Sequence, residues 1–235
     1  MSVGDVLREA WELYKRFFVR FVTVAAIVFV VIGLVNGLLA LAADDGGFGF
    51  VLWSLIALAV SLVGYFWLQG ALVEAVRDVR DGRADASVGE LFARTQPRLP
   101  ALIVAGVLAG LGIAFGLLLL IIPGLFLLSR WFLIAPTIVL ENRSAGESFG
   151  RSWELTRGHI GPALGLVVLT LLIAFIGGAI ASALITAVLA PLPDLLASWL
   201  ANIVVNSLIA PFVALAWTLA YYRLAERPLE QPVTA

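Results

Sequence analysis

No cysteine occurs among the 235 residues, which excludes disulfides, thiol chemistry and cysteine metal sites. Histidine occurs once, at His159, and charged residues make up only 13% of the chain. The net charge of −1 carries no message until the charges are sorted by position. What fills the chain is apolar. Hydrophobic residues reach 62% and mean hydropathy is +1.05, well outside the range of soluble domains.

The apolar residues come in long runs. The first, "FVTVAAIVFVVIGLVNGLLALAA" at 21–43, is about 35 Å long as a helix, enough to cross a bilayer with some tilt. It is too long, and starts too far from Met1, for a cleavable signal peptide. Further runs lie at about 49–73, 101–121, 124–140, 163–190 and 195–222. The 101–140 stretch exceeds one crossing, and Pro123-Gly124 within it marks a turn. Pro191 and Pro193 separate the last two runs. Six spans follow, with both termini on one side. Of fifteen Lys and Arg, all but Arg130 lie in the N-terminal segment (Arg8, Lys15, Arg16, Arg20), the two even-numbered loops (Arg77, Arg80, Arg83, Arg94, Arg98; Arg143, Arg151, Arg157) or the C-terminal end (Arg223, Arg227). The opposite loops hold Asp44, Asp45 and Asp194 and no cation. The positive-inside rule therefore predicts a cell-membrane protein with both termini in the cytoplasm.

A repeat underlies this layout. "SVGDVLREAWEL" (2–13) and "SAGESFGRSWEL" (144–155) share five of twelve positions, and "SVGELFAR" (87–94) keeps the serine, the glycine and the acid. In each, the serine precedes an acid by three residues (Ser2 and Asp5, Ser87 and Glu90, Ser144 and Glu147), the spacing of a capping box. Asp makes the weaker box, so the first copy is the loosest match. Downstream, Val3, Val6, Leu7, Ala10, Trp11, Tyr14, Phe17, Phe18 and Phe21 form one helical stripe, with Asp5, Arg8, Glu9, Glu12, Lys15 and Arg16 opposite. Such a helix suits the headgroup plane. The predicted fold class is an all-α integral membrane protein. It is a six-helix bundle of three parallel helix-plus-hairpin repeats, about 1–80, 86–142 and 143–226, with amphipathic interfacial helices on the cytoplasmic side. A short tail, 227–235, follows.

Gly146-Glu147-Ser148-Phe149-Gly150 matches G-x-S-x-G, the hydrolase nucleophile elbow. That motif needs a strand before the serine and an acid and a histidine after it. Ser148 instead falls in the first turn of a capped helix, with His159 just past the helix end. The match is read as accidental, and no catalytic residue is assigned.

The segment 121–159, through Pro123-Gly124, Arg130-Trp131, Pro136, Glu141, Ser152-Trp153 and Leu155-Thr156-Arg157-Gly158, resembles the membrane domain of the glycerophosphoryl diester phosphodiesterase membrane-domain family. The start "SVGDVLREAWELYKRFF" and the six-span layout agree with it. The resemblance implies a stand-alone integral membrane member. In fused members a separate soluble domain performs hydrolysis, and here no such catalytic domain follows Tyr222. Neither enzymatic activity nor a cofactor is expected.

Arg130 is the one cation inside a predicted span. It lies roughly 16 Å along a helix from Glu141, and an intramembrane arginine demands a partner or a wet cavity. Gln69 and Glu74 on the second span, and Asn202 and Asn206 on the sixth, are candidate partners in a ligand site. The bland alternative is a clamp on carbonyls freed near Pro123 or Pro136. Asn202 and Asn206, one turn apart, fit interhelical packing better than a path. Glycine pairs at 33/37, 106/110, 112/116 and 161/165 have the G-x-x-x-G spacing of close helix approach. Arg8, Lys15, Arg16 and Arg20 could hold anionic lipid headgroups, although positive-inside topology also explains them. Two functions remain. One is a non-enzymatic scaffold or lipid-associated module of the cell envelope, with membrane lipids and other envelope membrane proteins as partners and no nucleic acid. The alternative is a small transporter or channel for an anionic molecule or lipid headgroup, with Arg130 in its site.

Overall fold

The computed structural model describes residues 2–42, 47–80 and 82–226, and all regular structure among them is helical. Asp44, Asp45, Arg227 and the tail 227–235 lie outside the described residues. The helices are α1 (Val3–Arg16), α2 (Phe18–Ala42), α3 (Phe48–Val79), α4 (Val88–Thr95), α5 (Leu99–Leu119), α6 (Ile121–Trp131), α7 (Ile134–Glu141), α8 (Ala145–Leu155), α9 (Ile160–Val188) and α10 (Asp194–Ala225). Six stretches are long and apolar enough to cross a membrane: α2, α3, α5 with α4 leading in, α6 with α7, α9 and α10. The protein is an all-α, multi-pass membrane protein. Its outer surface is apolar, with Leu118, Ile122, Phe175 and Val188 exposed, while Val24, Leu68, Leu72, Leu215 and Leu219 are buried where helices meet.

The hairpin between the third and fourth spans turns earlier than Pro123-Gly124 suggests. α5 ends at Leu119, Leu120 alone is extended, and α6 begins at Ile121. Pro123 sits in the first turn of α6, where its missing N–H has no helical partner to lose. Gly124 serves packing instead. A Cβ there would come within 2.7 Å of the Leu117 backbone nitrogen, and one on Gly116 within 3.0 Å of the Gly124 backbone. Further on, Pro136 cannot bond the carbonyl four residues back and crowds it, and the helix breaks at 132–133 between α6 and α7. Asn142, at φ 55, then takes the left-handed position that ends α7, and Ser144 caps α8 immediately.

The three capped helices form as the spacing predicts. Ser87 with Glu90 and Ser144 with Glu147 make complete capping boxes. Ser2 makes only the half in which its hydroxyl accepts from the Asp5 N–H. The stripe on α1 differs from expectation in what it meets. Val6, Ala10 and Tyr14 are buried in the core with residues of α10 and α9, and the Tyr14 hydroxyl donates to the Leu208 carbonyl at 2.8 Å. Only the edge of the stripe, Trp11 and Phe18, is exposed. Protein offers this helix a better-matched apolar surface than lipid does.

The Gly116–Gly124 approach gives a pair of opposite expectations. Gly124→Ala should destabilise the chain by about 1–3 kcal/mol, because the clash is with backbone. Gly110→Ala, where a Cβ would meet nothing within 4 Å, should stabilise it by up to about 1 kcal/mol through helix propensity. Thermal unfolding of the two variants in detergent checks the sign of each.

Candidate functional site

Ser148 is buried in the first turn of α8, and its hydroxyl donates to the Ala145 carbonyl at 2.6 Å. Ser144 owes its capping geometry to Glu147. The Ser144 hydroxyl and N–H donate to Glu147 Oε2 at 2.7 and 2.9 Å, and these bonds hold that carboxyl below its usual range. His159 approaches the Arg157 carbonyl at 3.3 Å. The residues around Ser148 are thus engaged in starting and ending a helix.

Arg130 is held by α8. Its Nη1 donates to the Thr156 hydroxyl at 3.3 Å, and its guanidinium lies 4.5 Å from the Trp153 ring centroid and 5.3 Å from that of Phe126. Its carbonyl, two residues before the break at 132–133, accepts from the Ser152 hydroxyl at 2.6 Å. Thr156 caps the C-terminus of α8, the end of a helix that favours a cation. The expected partners Gln69, Glu74, Asn202 and Asn206 make no hydrogen bond or ion pair with Arg130 among the described residues. The reason is local. The reversal at Asn142 folds α8 back along α6 and α7, so the nearest polar atoms come from α8 and not from α3 or α10. The clamp is also not on a carbonyl freed at Pro123. Arg130 Nε is buried without a partner.

The other candidates fall apart into separate places. Gln69 lines a cavity of about 230 Å³ between α3, α5, α6, α7 and α10, walled by Trp131 and Trp217 and including Thr218. Asn202 and Asn206 line a larger cleft, about 840 Å³, with Asn36 of α2, Tyr65 of α3 and Trp199 of α10. Arg130 and Glu74 line neither. Glu74 is buried beside Arg77, whose Nη1 stands 3.7 Å from Oε1, and its Oε2 has no partner. Glycine spacing is spent on packing in part. Trp199 sits against Gly33 and Gly37 and Trp131 against Gly112, whereas nothing lies within 4 Å of a Cβ on Gly110 or Gly161.

The described ion pairs gather at the end of the bundle that carries α1 and α8. Arg20 pairs with Asp78, Arg80 with Glu226 and Arg223 with Glu9. Arg20 is therefore taken up in tying α2 to α3, its side chain mostly buried. Arg8 pairs with Asp5 on the same helix but stays 71% exposed. Lys15 lies over Trp11, and Arg16 donates to the Gly82 carbonyl. Both remain exposed. The centre of this end is Glu141. It accepts from Arg151 Nε at 2.9 and 3.0 Å, from Arg143 Nε at 3.0 Å and from the Tyr221 hydroxyl at 2.9 Å. Sequence reasoning took Glu141 as a boundary marker and as one of the residues of the family resemblance, not as a hub of ion pairs. Its role was signalled by Asn142 behind it, a residue suited to the left-handed turn that brings Arg151 back.

A clamp and a ligand site respond differently to loss of Arg130. Arg130→Ala should destabilise the chain by about 1–3 kcal/mol, from one charge-assisted bond and the cation–π contacts with Trp153 and Phe126. It should also speed amide exchange at 152–156. Arg130→Lys should recover less than half of the loss, since a lysine lacks the planar group that stacks on Trp153. Thermal unfolding and hydrogen exchange of both variants check this.

Among known proteins, no curated sequence and no solved structure matches this chain. Residues 86–224, from the residue before the α4 cap to the last turn of α10, match a domain of unknown function, DUF7847. The matched segment is more than half of the 235 residues, and the chain belongs to the DUF7847 family.

Proposed function

We propose that this protein is a non-enzymatic, lipid-associated module or scaffold of the cell membrane, with both termini and the three capped helices on the cytoplasmic side. In this reading the units 1–80, 86–142 and 143–226 are three parallel repeats about an axis along the membrane normal. Several observations support the repeats. The last span of each unit packs against the capped helix of the next: α3 on α4, α7 on α8, and α10 on α1, which joins the end of the chain to its start. Trp67 meets Phe92 at 5.6 Å and 88°, and Trp131 meets Phe149 at 5.1 Å and 87°. Both phenylalanines lie five residues after the capping serine.

The observation that carries the lipid-associated reading is the exposed row Arg8, Lys15 and Arg16 on α1. It stands beside Trp11, 51% exposed although large and aromatic. Basic residues next to an interfacial aromatic suit anionic headgroups at a membrane surface. The resemblance of 121–159 to the phosphodiesterase membrane domain lies wholly inside the DUF7847 match and agrees with a membrane-resident partner of lipids or of other envelope proteins. Ser148, bonded to a carbonyl of its own turn, gives no support to hydrolysis. Arg130, bonded to Thr156, gives none to an anion path.

Retention of anionic lipid by the purified full chain tests this reading in native mass spectrometry. Near a surface each cation contributes about 1 kcal/mol. Replacing all three (Arg8→Gln, Lys15→Gln, Arg16→Gln) should therefore cut retention of anionic over zwitterionic lipid by about tenfold or more. Equal retention of the two lipid classes by the unaltered chain would contradict the reading, as would no change in the variant.

A further inference from the structure

The cleft of about 840 Å³ lies at the end of the bundle away from the ion pairs, between the second half of α2, Tyr65 of α3 and the first half of α10. Among the described residues its lining holds no charged side chain. An anionic headgroup would find no cation among these residues. What it does have is a set of amides with one polarity turned outward. Asn202 Nδ2 donates to the Ser198 carbonyl at 2.9 Å, and Asn206 Nδ2 to the Asn202 carbonyl at 2.8 Å. Asn36 Nδ2 donates to the Ile32 carbonyl at 2.8 Å and to the Ser61 hydroxyl at 3.2 Å.

These bonds fix which way each amide faces. A backbone carbonyl can only accept, so the NH2 group must be the one turned to it. The three Oδ1 atoms are therefore left as acceptors, and no described residue donates to them. The side chains are exposed along the cleft. Trp199 Nε1, a strong donor in the lining, is already given to the Gly33 carbonyl. In hydrocarbon, acceptors without donors are unfavourable, and lipid tails supply none. The rest of the lining, including Phe29, Ile32, Leu34, Leu38, Leu196 and Ile203, is apolar. An apolar cleft of this size with a few convergent polar atoms is the usual form of a small-molecule site.

We infer that this cleft binds a lipid whose headgroup is uncharged and carries two or more hydroxyl groups. The hydroxyls donate to the amide oxygens of Asn36, Asn202 and Asn206, and the chain lies along the apolar wall. The site is separate from the basic row on α1 and does not depend on it.

The test uses the purified full chain in mild detergent and native mass spectrometry. Three probes are offered: a monoacylglycerol, its dimethyl ether and a phosphatidic acid of the same chain length. Monoacylglycerol should be retained at least about tenfold better than its ether, since each lost hydroxyl leaves an acceptor unpaired. Phosphatidic acid should not compete at the cleft. Asn202→Leu with Asn206→Leu should erase the preference for free hydroxyls. Arg8→Gln with Lys15→Gln and Arg16→Gln should leave it intact, which separates this inference from the reading of α1. Equal retention of the ether, displacement of bound monoacylglycerol by phosphatidic acid, or no adduct of the monoacylglycerol would each overturn the inference. These outcomes are read on the unaltered chain, so they hold even if the leucine variant fails to fold.

Discussion

Within a bilayer a charged or hydrogen-bonding group has no water to turn to, and each must find its partner in the protein. This chain meets that demand by gathering its described ion pairs at one end and locking them across elements. Glu141 is the point on which the arrangement depends. One carboxylate takes donors from Arg143 and Arg151 after the turn and from Tyr221 on the last helix. It thereby fixes α7, α8 and α10 together. Arg20 with Asp78 fastens α2 to α3, and Arg223 with Glu9 fastens α10 to α1. Lipid tails give apolar helices no hydrophobic reason to prefer one another, so away from this end close packing has to hold them. Gly116 on Gly124, and Trp199 against Gly33 and Gly37, are where it does so.

Arg130 follows the same logic. Half-buried on an apolar helix, it costs less than an isolated charge because α8 brings Thr156, the Trp153 ring and a helix C-terminus to it. In return it sets where α8 ends. The bond from Ser152 to the Arg130 carbonyl works in the same direction. One residue near the break in the fourth span therefore positions a helix that belongs to the next part of the chain. The cation that looks like a ligand site from sequence is here bonded to Thr156 and stacked on Trp153, both of α8.

The spans were legible because length and hydropathy decide them with no tertiary information. The capped helices were legible because Ser with an acid three residues on is a local signal. Partners were not. Arg130 was assigned to the second and sixth spans on sequence spacing, yet the turn at Asn142 brings back a helix that spacing alone does not place. Pro123 read as a turn but lies in a helix start, while the reversal at Leu120 has no marker of its own. The apolar stripe of α1 was visible, though its periodicity says only that one face is apolar and not whether lipid or α10 covers it. Asn202 and Asn206 were read as packing residues ahead of partners for Arg130 in a ligand site. Their bonds to carbonyls of their own helix, which leave the oxygens outward, could be seen only once the cleft was in place.

The docking of α1 onto the far end of the chain is the claim on which the closed arrangement rests. A cysteine-free chain makes it directly testable. A Cβ on Gly165 would lie 3.7 Å from Val3 Cγ2, so Val3→Cys with Gly165→Cys brings two thiols within reach in a chain with no other. Mild oxidation of the full chain in its membrane should give near-complete intramolecular disulfide, read as a mobility shift reversed by reductant. A helix lying apart in the headgroups would give none, and that result would contradict the account.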